Sequence, residues 1–91
     1  MSEAGHVTVE FLGIPRLRAG RAELQVPPGT IGELLATVEK SCPGLAGMVR
    51  GDGRLVPQYL LSLDGQEFVA DLCQPVKSGT RLLLLSADVG G

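Results

Sequence analysis

Val7, Val9 and Phe11 alternate with Thr8 and Glu10, a period of two that predicts a strand with one face covered and the other solvated. Ala22, Leu24 and Val26 alternate in the same way with Glu23 and Gln25, which predicts a second strand. The residues between them, Gly13-Ile14-Pro15-Arg16-Leu17-Arg18-Ala19-Gly20, are rich in turn formers and read as a hairpin connection. The period then changes. Thr30, with Glu33 three positions later, has the form of a capping box, and Ile31, Leu34, Leu35 and Val38 recur at helical spacing. A helix of about three turns is expected there, ended by Cys42-Pro43-Gly44. Its apolar stripe is a core face to be laid on a sheet.

Residues 44–57 are turn-rich but carry Leu45, Met48 and Val49, so a short extra helical turn followed by a loop is expected. Arg50-Gly51-Asp52 spells a cell-adhesion tripeptide by chance; its Gly and Asp make a turn. Tyr59 onward reads as strand, Asp64-Gly65 turn, strand. An irregular crossing through Pro75, Ser78 and Gly79 follows. Leu82 to Leu85 is apolar on both sides of any strand, so this strand belongs in the middle of the sheet with both neighbours paired. The order predicts an α+β fold: a mixed sheet of four or five strands with one main helix across one face. Residues 1–5 are expected to be disordered, 6–86 to form the domain, and 87–91 to hang free as a flexible tail.

Composition narrows the function. A formal net charge of −2 and only three aromatics, Phe11, Tyr59 and Phe68, argue against nucleic acid as a partner. Fifteen Leu, nine Val and two Ile make the core aliphatic and place the chain outside the disordered class. No leader-like stretch and no run near 20 apolar residues occurs, so a cytoplasmic protein with no membrane partner is expected. Cys42 and Cys73 lie far apart and His6 is the lone histidine, too few ligands for a structural zinc site. Both thiols read as buried and inert, and His6 as a solvated strand end. The GxGxxG and GxxxxGK[ST] spacings of phosphate cradles are absent, and no nucleophile, base and pocket combination suggests an enzyme. Arg16, Arg18 and Arg21 cluster in the first connection, either as a solvated tip or as a patch for an acidic partner surface.

Thirteen glycines mostly punctuate elements, but Gly90 and Gly91 turn nothing. Together with the helix start Gly29-Thr30-Ile31-Gly32-Glu33-Leu34-Leu35, the hairpin around Asp64-Gly65 and the closing block from Ser78 to Gly91, this pair makes the chain resemble the ubiquitin-like β-grasp family. Within it the resemblance is to the sulfur carriers related to the molybdopterin synthase small subunit and the thiamin sulfur carrier, over nearly the whole chain. An arm of glycines has no side-chain bulk and a wide φ range, which suits a carboxylate that must thread into another protein's site. A free carboxylate is a poor acceptor; adenylation makes it attackable and divides one hard step into two easier ones.

The resemblance implies a recyclable carrier rather than an enzyme. The Gly91 carboxylate would be adenylated by a partner of the ubiquitin-activating type, which uses the ATP, and then converted to a thiocarboxylate. A sulfur donor protein and a sulfur-accepting synthase or large subunit are the other implied partners; no cofactor is held by the chain itself. Gly90, Val89, Asp88 and Ala87 would thread the tail, while Leu84, Ser86, Arg16 and Arg18 would serve docking. Ser86 and Asp88 stand where the family often has prolines, Thr80 replaces the Asp usual after the turn glycine, and residues 44–57 lengthen the chain. The length points to the molybdopterin-type, cysteine-forming or specialised-metabolite carriers. Two alternatives share the tail or the fold: a protein modifier joined through Gly91 to lysines, and a β-grasp interaction module without chemistry.

Overall fold

The structure, a computed structural model, describes residues 5–87. Along the chain run β1 (Val7–Phe11), α1 (Ile14–Ala19), β2 (Glu23–Val26), β3 (Gly29–Thr30), α2 (Ile31–Ser41), a 3₁₀ turn at Pro43–Leu45, β4 (Tyr59–Leu63), β5 (Glu67–Phe68), β6 (Pro75–Val76) and β7 (Arg81–Ser86). Five strands form one mixed sheet in the order β2-β1-β7-β4-β5. The leucine-rich β7 lies at its centre, parallel to β1 and antiparallel to β4, as the apolar character of both its faces requires. The short β3 and β6 make a separate two-stranded pair.

Alternation decides the inner face. Val7, Val9, Phe11, Leu82 and Leu84 are at most 1% exposed and share one core cluster with Ile31, Leu34, Leu35 and Val38 of α2. The capping box forms reciprocally: the Glu33 amide donates to Thr30 Oγ1 at 3.2 Å, and the Thr30 amide to Glu33 Oε1 at 2.9 Å. Two more amides of the first turn are satisfied from afar, Ile31 by the Gln74 carbonyl at 2.9 Å and Gly32 by the Leu72 carbonyl at 2.8 Å. The crossing at 71–79 therefore serves as cover for the N-terminus of α2, whose first amides have no partner within the helix.

Two expectations need correction. The connection 13–20 is a helix, α1, and not a hairpin tip. Pro15 stands in its first turn, where its missing N–H costs nothing, and Gly20 closes it in the left-handed region at φ 74°, donating to the Arg16 carbonyl at 3.0 Å. Six residues are too few for periodicity to reveal. The second correction concerns the thiols: Cys42 is buried in the core, but Cys73 is exposed on the crossing, its amide bonded to the Asp71 carboxylate at 2.9 Å. The tripeptide at 50–52 is a turn, with Gly53 donating to the Arg50 carbonyl and Arg54 to Asp52 Oδ1.

Candidate functional site

The sequence places its candidate chemistry at the end of β7, so the surroundings of that end are decisive. Tyr59, the first residue of β4, is in register with Ser86, the last of β7. One residue further, the Ala87 amide donates to the Gln58 carbonyl at 2.8 Å. Across the same end lies α1, placed there because β1 ends at Phe11 beside Leu84 and the chain turns at Gly13. Gly13 has φ 64°, a region that L side chains rarely adopt. The C-terminal end of α1 rests on the 3₁₀ turn, close enough that a Cβ at Gly44 would lie 2.1 Å from the Arg18 carbonyl oxygen.

These elements enclose an open groove of about 580 Å³ lined by Ile14, Arg18, Pro57, Gln58, Tyr59, Ser86 and Ala87. The Arg18 guanidinium donates to the Tyr59 hydroxyl and sits 5.9 Å from the centre of its ring, within reach of a cation–π attraction. Tyr59 is buried, so its one polar atom gains a partner. Arg16 and Arg18 are exposed on α1, as is Leu17 at 77%, so this corner presents positive charge beside apolar surface.

Ser86 and Ala87 line the groove with Arg18; Arg16 lies two residues away on the same helix. Leu84 is misassigned as a docking residue. It points inward and is fully buried, because Phe11 and Leu61 flank it in register on the core face. The solvent face of β7 carries Leu83 and Leu85, half-buried, with Leu60 opposite Leu85 and the 68%-exposed Phe68 opposite Ser62. Period-two counting from Arg81 separates the two faces, but in an all-leucine run the pattern itself does not say which is inside. Asp88, Val89, Gly90 and Gly91 lie outside the described residues. Tyr59 and Gln58 were missed; the lone Tyr opening a predicted strand was the available signal.

At the other end of β7, Arg81 donates to Glu10 at 2.9 Å and Glu23 at 3.5 Å across β1 and β2. The hydrogen bond to Glu10 is the main reason its guanidinium holds its proton more tightly than usual. Among the described residues no group of three His, Cys, Asp or Glu could hold a metal, and no helix is long and apolar enough to cross a membrane.

No protein-family model and no curated protein sequence matches the chain. Solved structures do. The crystal structure of SAMP1 from Haloferax volcanii is 23% identical with a TM-score of 0.80, over 96% of this chain and 100% of that one. A chain of the Amycolatopsis orientalis BexX/CysO complex is 26% identical with a TM-score of 0.78, over 93% of this chain and 99% of that one. Urm1 from Trypanosoma brucei is 20% identical with a TM-score of 0.69, covering 100% of both. The fold of this chain is therefore the ubiquitin-like β-grasp, shared along nearly its whole length with small carrier and modifier proteins.

Proposed function

We propose that this protein is a sulfur carrier whose reactive group is the carboxylate of Gly91. The observation that carries the reading is the position of β7: the strand nearest the Gly-Gly pair is clamped at the centre of the sheet and delivers the chain at a groove flanked by basic and apolar residues. The likeness to a chain of the BexX/CysO complex supports it. Two chemical steps follow. The Gly91 carboxylate oxygen attacks the α-phosphorus of ATP in the adenylating enzyme, and pyrophosphate leaves. The sulfur of hydrosulfide then adds to the acyl carbon, and AMP departs with its bonding pair. The product is a C-terminal thiocarboxylate; its sulfur bonds to an electrophilic acceptor and displaces that acceptor's leaving group, and water then adds to the acyl carbon and breaks the C–S bond, so the sulfur stays on the acceptor and the carboxylate returns. The chain's own part is recognition and presentation: Ala87 to Gly90 thread the partner's site, while Arg16, Arg18, Ser86 and the outer face at Leu83 and Leu85 dock.

Intact mass spectrometry tests this. A chain ending at Gly91, incubated with an adenylating enzyme of the ubiquitin-activating type, ATP and sulfide, gains the mass difference between sulfur and oxygen. A chain lacking Gly91 does not. No gain with any such enzyme, or equal gain without Gly91, overturns the reading. A second reading, a modifier joined through Gly91 to lysines, is favoured by the likeness to small archaeal modifier protein 1. Conjugates of higher mass that vanish on deleting Gly90 and Gly91 distinguish it.

A further inference from the structure

Charge is segregated along this chain. From Phe11 to Ala22 it carries three arginines, Arg16, Arg18 and Arg21, and no Asp or Glu, although the formal net charge is −2. Elsewhere Arg50 is paired with Asp52, and Arg81 with Glu10 and Glu23. The three arginines of the α1 corner are all exposed, and no carboxylate among the described residues pairs with them. Like charges held this close are relieved by an anion brought to them from outside.

Arg18 is the ordered member of the three. Its guanidinium sits 5.9 Å from the centre of the Tyr59 ring and donates to the Tyr59 hydroxyl, which engages one nitrogen and leaves the rest of the fork open to a carboxylate. The hydroxyl accepts this bond, so its own proton still needs an acceptor, and none among the described residues takes it. Tyr59 is 5% exposed and lines the groove. A carboxylate seated there accepts from both groups, and the guanidinium is already held in place, which lowers the ordering cost of binding.

The surroundings are apolar. Ile14, Pro57 and Ala87 line the groove. Ile14 and Leu17 stand 42% and 77% exposed at i and i+3 of α1, beside Arg18 at i+4, while Pro15 and Ala19 pack inward on the other side of the helix. A phosphate polymer would leave Ile14 and Leu17 in water; an acidic side chain with apolar neighbours covers them. We propose that the corner formed by α1 and the start of β4 docks an acidic segment of a protein partner: one Asp or Glu carboxylate is received by Arg18 and Tyr59, apolar side chains beside it cover Ile14 and Leu17, and Arg16 and Arg21 steer the approach. The carrier reading enters only in making that partner the enzyme that meets the end of β7.

NMR titration of the full chain with an acetylated and amidated hexapeptide of alternating Leu and Glu tests the docking chemistry. Saturating shifts are expected at Ile14, Leu17, Arg18 and Tyr59 with a Kd of about 1 mM, weakened severalfold between about 20 mM and about 500 mM salt. Replacing Glu by Gln in the peptide, or Arg18→Gln in the protein, weakens binding about tenfold, and Tyr59→Phe about fivefold, with Arg18→Lys recovering part of the loss. Leu17→Ser weakens it about threefold without altering the salt dependence. No saturation up to about 10 mM peptide, equal binding of the Gln peptide, or shifts gathered at Leu83, Leu85 and Phe68 instead overturns the proposal. So does a change at Arg18 and Tyr59 on dilution of the free protein, which would make a second copy the occupant, or a stronger response to phosphatidylglycerol vesicles than to the peptide. No adenylating enzyme takes part, so failure of the carrier reading leaves the result intact.

Discussion

One carboxylate oxygen of Glu39 on α2 accepts from the Met48 amide at 2.9 Å, and the same oxygen accepts from Gly47 at 3.0 Å and Val49 at 3.3 Å. Three consecutive amides thus converge on a single acceptor. This converts the turn-rich segment after α2 into a fixed strut: Met48 is buried beneath it, and its carbonyl holds the Val56 amide.

Glu39→Ala should therefore loosen the whole segment. Hydrogen bonds to a charged group contribute about 1.5–3 kcal/mol, and solvation of the freed Gly47 amide returns part of that. A loss of about 2 kcal/mol in urea unfolding at constant m is expected, with Glu39→Gln recovering part of it. A change below about 0.5 kcal/mol, the ordinary range of a surface substitution, would show that the loop does not depend on this carboxylate.

Gly44→Ala tests the seating of α1. The new methyl would collide with the Arg18 carbonyl, a backbone atom that cannot rotate aside. Overpacking of this kind costs about 1–3 kcal/mol, and the displaced helix should carry Arg18 off Tyr59. The chain has one Tyr and no Trp, so its ultraviolet fluorescence reports Tyr59. Emission unchanged in a folded Gly44→Ala protein would refute the link.

Leu84 and Leu85 are adjacent yet face opposite ways, and their alanine variants should fail differently. Leu84→Ala leaves a core cavity and should cost about 2–5 kcal/mol. Leu85→Ala should leave the fold standing but weaken association with the adenylating partner by about tenfold, the size of a residue that matters at an interface. Denaturation and titration of both variants separate stability from docking; equal effects of the two would contradict the assignment of faces.

Much of this was legible in the chain itself. The Thr30–Glu33 box and the Ile31, Leu34, Leu35, Val38 stripe are local signals, and both form as read because neither needs a distant residue to complete it. The centrality of β7 was legible for a different reason: only a strand paired on both edges tolerates leucine on both faces. Other features were not legible. The Pro15 and Gly20 signals bracket too short a segment to outweigh its turn-like composition, so α1 read as a loop. Cys73 sits on a crossing whose conformation is set by what it covers, and its exposure has no local signature.

Residue order alone determined the alternation of strands, the capped helix, the hairpin at Asp64-Gly65 and the pair of glycines, because each depends on contacts within a few residues. Tertiary structure alone decided which leucine of a uniform run faces the core, and that Arg18 meets a tyrosine 41 positions away. Those outcomes depend on backbone groups and side chains remote in sequence arriving at the same point. No periodicity encodes them, and they follow only once the sheet order is set.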